Sequence, residues 1–462
     1  MTGATETIAA FISEAALADM PRDAPDKAAK AIADTFAVMV AGSGSELAEP
    51  LLRYAGAGHE RGPIPLLGTG LTAAPETAAL VNGTLGHALD YDDVLAVMPA
   101  HPSAVIMAAA LASLNGRGVS GRSLIEAYIV GVEVGGRIGI GITQGHYRRG
   151  FHATGTLALF SAVSALAKLH QLDVAATRQF FGIAASMSSG LRRNFGTMTK
   201  PLHTGIAARS ALTALRLAQS GFEAAPDILE APSGFFSTYG VEESDPAVAA
   251  SGLGRPYIVS EPGLALKKFP CCYATHRAMD GLLTLRDRLG FDAASVDRIV
   301  CRVPPGGMRV LTYPRPATGL EGKFSLPYAL AAGALDGRYR LQTFTDPAVR
   351  RKEIQDLYPR IEAGEHPSCR GDDPHFESRS SGSRGFVEVE VKLRDGRSDR
   401  ARVDKAPGSP GREMGWDELR GKFLDCARHG GRISEGAATQ AFDLVRGLDR
   451  VADIGEVVAL LR

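Results

Sequence analysis

"DKAAKAIADTFAVMVAG", residues 26–42, sets the texture of most of this chain. It follows a Pro-Asp start signal, stops at Gly42, and puts Ala28, Ala31, Ile32, Thr35, Phe36 and Met39 on one face. That spacing predicts an amphipathic helix. Similar Ala/Leu-rich stretches recur at 74–89, 103–115, 121–135, 155–169, 174–187 and 203–220. Their small residues let helices approach closely, so the first 265 or so residues are predicted to form a large helical bundle. The "GVEVGGRIGIGI" run (131–142) fits neither GxGxxG nor GxxxxGK[ST], and no strand pattern precedes it. Its glycines are predicted to pack helices rather than to cradle phosphate.

Past residue 265 the period changes. "SVDRIVCRVP" (295–304) is β-prone, and "FVEVEVKLRDGRSDRARV" (386–403) alternates apolar and polar residues around Asp395-Gly396, a hairpin signal. A helical stretch from Ser325 to Leu335 and a polar loop at 364–385 lie between them, and "KAPGSPG" (405–411) reads as a linker. From Trp416 the tail is helical again. The expectation is a mainly α protein. A large all-helical domain, residues 1–265 with 408–462, is interrupted by a smaller inserted α+β lid domain, residues 266–407.

Composition removes several function classes. Among 462 residues, Lys+Arg 51 balances Asp+Glu 51, so no electrostatic footprint for nucleic acid or an anionic membrane exists. No run of 18 or more apolar residues appears, and the N-terminus lacks a basic region followed by an apolar stretch. Five cysteines without a CxxC pair suggest a reduced, cytoplasmic protein, which makes the Asn82-Gly83-Thr84 sequon fortuitous.

Polar residues concentrate in five places. "HALDYDDVLAVMPAHPS" (87–103) holds two histidines and three aspartates, and "GFHATGTLALF" (150–160) holds His152. "GLRRNFGTMTKPLHTGIAARS" (190–210) brings Arg192, Arg193, Lys200 and His203. "LKKFPCCYATHRAMD" (266–280) carries Lys267, Cys272 and His276, and "GKFSLPYALAAG" (322–333) carries Tyr328. Each has a plain structural explanation, since aspartates favour helix starts and single histidines are often structural. Together, histidines, lysines and aspartates on loops over a helical scaffold suit an acid/base site for an anionic substrate. A metal site in the carboxylate-rich first stretch ranks behind that reading. A silent carboxylate-binding protein and a metal-dependent hydrolase are the other classes the residues allow.

The order "NGTLGHALDYDDV…HPS", "GFHATGT", "TMTKPLHTG", "KKFPCCYATH" and "KFSLPYALA" resembles the MmgE/PrpD family, which includes 2-methylcitrate dehydratase, cis-aconitate decarboxylase and iminodisuccinate epimerase. The resemblance covers nearly the whole chain. It implies a homodimer, a small polycarboxylate substrate, and catalysis with no metal and no organic cofactor. Carried over by position, it marks Asp90, His101, His152, Lys200, Lys267 and Tyr328 as catalytic, with Arg192, Arg193, His203, Cys272 and His276 as substrate-binding. Two departures point away from decarboxylation of cis-aconitate. Val94 stands where the family's decarboxylases carry threonine, with one extra residue before His101, and Cys272 stands where they carry a catalytic histidine. Within the family, proton abstraction α to a carboxylate followed by loss of water is the expected reaction, and epimerisation or decarboxylation the alternative.

Overall fold

The computed structural model describes residues 3–56, 62–114, 117–374, 376–377, 379–380 and 382–462. The chain is mainly α and divides into two compact units. The first comprises Met1–Asn194, Thr199–Leu266 and Gly415–Arg462, and the second comprises Phe195–Met198 and Lys267–Met414.

Among the described residues, the first unit is helical with one short antiparallel hairpin, β1 (Ile64–Leu66) with β2 (Leu71–Ala73), in which Pro65 faces Thr72. The opening segment forms the Ala24–Gly42 helix, and from Ala31 to Gly42 every residue is buried. A helix covered on all sides belongs to the middle of a bundle. Asp34 sits in its buried stretch, 2.6 Å from the ammonium of Lys422 on the Trp416–Gly430 helix. The same ammonium donates to Tyr91 O at 2.8 Å. The C-terminal tail thereby clamps the segment that carries Asp90, Asp92 and Asp93.

Glycine determines how closely the helices beside the site approach. The Pro75–His87 helix crosses the Thr199–Gln219 helix where Gly83 meets Gly205. A β-carbon on Gly83 would lie 2.9 Å from Gly205 Cα, and one on Gly205 would overlap Leu80 O. Side chains that small let the two backbones touch, which brings His87 at the end of one helix to Lys200 at the start of the other. The 131–142 run lies inside the Gly121–Arg148 helix, as its glycines predicted. Gly131 and Gly135 face Ser161 of the Ala158–Leu169 helix, and Gly139 faces Met98. The helix outlasts the expected 121–135 stretch and breaks its geometry only at Thr143, at φ 67°. Asn82 is buried, its amide bonded to Pro65 O and Leu67 N–H, which removes the sequon from solvent.

The second unit is built on a four-stranded sheet of order β4-β3-β5-β6. β3 (Val296–Val303) pairs in parallel with β4 (Ile361–Glu365) and antiparallel with β5 (Val387–Leu393), which forms the expected hairpin with β6 (Ser398–Val403). Val387, Val389, Val391 and Leu393 bury one face of β5, each removing enough apolar surface to be worth about 1.5–3 kcal/mol. On the other face Glu388 pairs with Arg302 and Arg400. The His276–Leu289 helix covers the apolar face, with Gly281 over Val389 and Val403. Phe195 joins this unit because its ring packs on Phe324 and its carbonyl accepts from Tyr313 OH at 3.0 Å.

Candidate active site

Beyond the end of the Pro75–His87 helix the chain turns sharply through Asp90, at φ 51°. Aspartate tolerates this left-handed conformation better than most residues. The turn folds Asp92 back onto His87, whose Nδ1–H donates to both carboxylate oxygens at 2.8 and 2.9 Å. On the far side of the ring, Nε2 accepts from Lys200 Nζ at 2.7 Å. Lys200 also donates to Asp90 Oδ1 at 2.8 Å. His87, Asp90, Asp92 and Lys200 are all buried. A buried ion pair of this kind persists only when further hydrogen bonds satisfy its polar atoms.

His101 stands beside this chain of contacts. Its ring centroid lies 4.4 Å from that of His87, and its Nε2 lies 4.0 Å from Asp90 Oδ1. Its Nδ1 is 2.6 Å from Asp93 O. A carbonyl oxygen only accepts, so Nδ1 carries the hydrogen and Nε2 the lone pair. The His101 side chain is 13% exposed whereas that of His87 is 0% exposed, so solvent and small molecules reach His101 first. The Asp93 carboxyl turns the other way, into the core, where Ser103 Oγ donates to it at 2.7 Å and Tyr128 OH in turn donates to Ser103 at 2.6 Å. Burial, reinforced by the Asp92 charge, holds the Asp93 carboxyl well above the usual carboxylate range.

His152 enters from the loop ahead of the short Ala153–Thr156 helix. Its backbone N–H donates to Gly190 O at 3.0 Å, and Thr154 Oγ1 accepts from His101 N–H at 3.2 Å. Those straps set the His152 ring centroid 6.0 Å from that of His87 and its Nδ1 3.0 Å from His203 Nδ1. Burial, then the Lys200 charge, pushes His152 well below the ordinary histidine value, and the same two causes bring His203 down to about 4. Both rings are therefore neutral near pH 7, and one donates to the other.

Asp90, His101, His152, Lys200 and His203 thus converge in the first unit. The sequence reading passed over Asp92 as an actor and left His87 without a role, although "HALDYDD" contains both. Arg192 lies apart from these contacts in its own bonding: it donates to Tyr147 O at 2.8 Å and stacks over the Tyr147 ring at 4.1 Å. Arg193 is exposed.

In the second unit Lys267 and His276 are buried and Cys272 is half-buried. His276 Nε2 lies 3.3 Å from Cys271 O, and Phe269 packs edge-on to its ring. Lys323, which sequence reading did not single out, is buried and donates to Pro270 O at 2.9 Å. Burial pushes the Cys271 thiol up to about 12, against the opposing charges of Lys267 and Lys323. Tyr328 is fully buried and its hydroxyl donates to Thr343 O.

His87, Asp90, Asp92 and His101 bring donor atoms within 4.8 Å of one another, a set that suits a divalent cation in charge and ligand type. The position is already cationic, because the Lys200 ammonium touches His87 Nε2 and Asp90 Oδ1. A metal ion on those two atoms would have to displace Lys200, so the residues as arranged hold an ammonium better than a metal ion.

Comparison with known proteins agrees with this motif order. The MmgE/PrpD N-terminal domain matches residues 6–245 and the MmgE/PrpD C-terminal domain matches residues 269–448. The cis-aconitate decarboxylase of Mus musculus is 28% identical over 405 residues, covering 85% of this chain and 80% of the relative. That of Aspergillus terreus is 26% identical and covers 100% of this chain and 96% of the relative. With both domain models matched over most of its length, the chain belongs to the MmgE/PrpD family and is an enzyme of the lyase type.

Proposed function

We propose that this enzyme removes a proton α to a carboxylate of a small di- or tricarboxylic acid and then eliminates water, without a metal or organic cofactor. One observation carries the reading: Asp93 O fixes His101 in the tautomer whose Nε2 is basic, beside a buried lysine. Abstraction next to a carboxylate builds charge on carbon and on the carboxylate oxygens. A histidine base contributes about 10²–10⁴ in rate to such a step. A fixed ammonium in a water-poor site stabilises the developing enediolate by about 3–4 kcal/mol, the cost of losing an oxyanion donor elsewhere. Lys200 takes that part, with Asp90 holding its position. The neutral His152–His203 pair offers a donor for a substrate carboxylate or a leaving hydroxyl. Lys267 is proposed as a further carboxylate ligand.

Decarboxylation is the second reading, favoured by the activity for which the mouse and Aspergillus terreus relatives are named. Val94 and Cys272 weigh against it. Proton NMR in D₂O on a panel of hydroxy-, amino- and unsaturated polycarboxylates separates the outcomes. Water loss supports the proposal and CO₂ loss replaces it with decarboxylation. Exchange at the α carbon with inversion alone identifies an epimerase. A homodimer, as the family resemblance implies, belongs to the same proposal, and sedimentation tests it. No helix among the described residues is long and apolar enough to cross a membrane.

A further inference from the structure

Lys200 meets His87 through nitrogen on both sides, at 2.7 Å. That contact is attractive only if one of the two nitrogens presents a lone pair. A hydrogen on Nε2 facing an ammonium would set donor against donor in a buried place. Which nitrogen of His87 carries the hydrogen is decided on the opposite side of the ring, where both oxygens of Asp92 lie within 2.9 Å of Nδ1. A carboxylate only accepts, so the hydrogen is drawn to Nδ1 and the lone pair is left on Nε2.

We propose that Asp92 and His87 are positioning residues for Lys200. Asp92 locks the His87 tautomer, and His87 Nε2, together with Asp90 Oδ1, holds the Lys200 ammonium in one orientation. The catalytic meaning of this device rests on the function proposed above, because it assumes that Lys200 faces the substrate. The tautomer lock itself does not. The fold prepares the arrangement: the Gly83–Gly205 crossing brings the two helices together, and the left-handed turn at Asp90 returns Asp92 to the His87 ring. Around the ammonium also stand His101, His152 and His203, of which His152 and His203 are kept neutral by burial and by Lys200 itself.

Substituted side chains separate this from a packing role. In Asp92→Asn the amide N–H₂ can donate to Nδ1, which moves the His87 hydrogen to Nε2 and turns it against Lys200. Turnover should fall about 10²-fold or more, as wrong-tautomer variants do elsewhere. In His87→Gln the amide oxygen accepts from Lys200 and needs no tautomer, so activity should stay within about 10-fold of the parent. His87→Leu accepts nothing from Lys200 and donates nothing to the buried Asp92, so it should be the less active of the two. The double variant Asp92→Asn/His87→Gln should recover most of the activity lost in Asp92→Asn.

Carbamylation of Lys200 by cyanate, read by peptide mass spectrometry, gives a readout that needs no substrate. Only a neutral amine reacts. Lys200 should therefore be modified about 10-fold faster in Asp92→Asn than in the parent at pH 7, and should return to the parent rate in the double variant. A double variant as impaired as Asp92→Asn in both assays would overturn the proposal, as would equal carbamylation in the parent, Asp92→Asn and the double variant. Should no polycarboxylate be turned over by the parent, the function reading fails, and the carbamylation rates alone still decide the lock.

Discussion

His101 Nδ1 lies 2.6 Å from the backbone oxygen of Asp93, and that bond makes its Nε2 the basic nitrogen of the site. The carbonyl is held still from below: Ser103 and Tyr128 anchor the Asp93 side chain, and Lys422 anchors Tyr91 O. Several consequences can be measured on those supports.

Lys422 joins the tail to the site segment through a buried pair with Asp34. Lys422→Met keeps the stem and removes the ammonium that faces Asp34. Breaking a buried pair from one side costs about 3–5 kcal/mol, and urea denaturation should show a loss of that size with reduced turnover. A loss below about 1 kcal/mol would place the pair with exposed ones and remove the tail's role.

Acid should weaken the fold through its neutral histidines. Burial brings His146, His170 and His203 down to about 4, and pushes His152 well below its ordinary value. The unfolded chain takes up these protons near pH ~6.5, before the folded protein does. Stability is therefore retained above about pH 6.5 and lost as pH falls towards about 4. His146 accepts from Thr156 Oγ1 at 2.7 Å and donates to Tyr239 O at 2.9 Å. His146→Gln should thus flatten the slope of melting temperature against pH in that window. An unchanged slope would show that His146 charges as easily folded as unfolded.

Cys271 and Cys272 are adjacent but unequal. Burial pushes the Cys271 thiol up to about 12, while Cys272 is half-buried. Iodoacetamide at pH 8 should label Cys272 at least about 10-fold faster. Labelling of Cys271 first would contradict the described burial.

Much of this was legible beforehand. Helix after helix followed the 3.6-residue period, and the hairpin around Asp395-Gly396 followed the two-residue one. β4 was missed because "IEAGE" (361–365) alternates weakly and contains a glycine, and its parallel partner is far away in sequence. The His87–Asp92 bond was hidden for a different reason. Spacing places His87, Asp90 and Asp93 together on an ideal helix, whereas the left-handed turn at Asp90 selects Asp92 instead. Lys323 escaped notice because its stretch reads as an ordinary helix start, Ser325 capping Tyr328 N–H.

Chelation should leave turnover intact. Lys200 already supplies the cation among His87, Asp90, Asp92 and His101, so activity in excess EDTA should match the untreated enzyme. Loss with recovery on adding Mg²⁺ or Mn²⁺ would replace the ammonium with a metal as the centre of the site.

The most direct test of the account is α-proton exchange in D₂O, followed by NMR on the polycarboxylate that the enzyme turns over best. His101→Gln can still donate from its amide to Asp93 O, yet it offers no basic nitrogen. Exchange and turnover should fall together by about 10²–10⁴ relative to the parent, with the melting temperature nearly unchanged. Full exchange in that variant would show that another group takes the proton, and the proposed mechanism would be wrong.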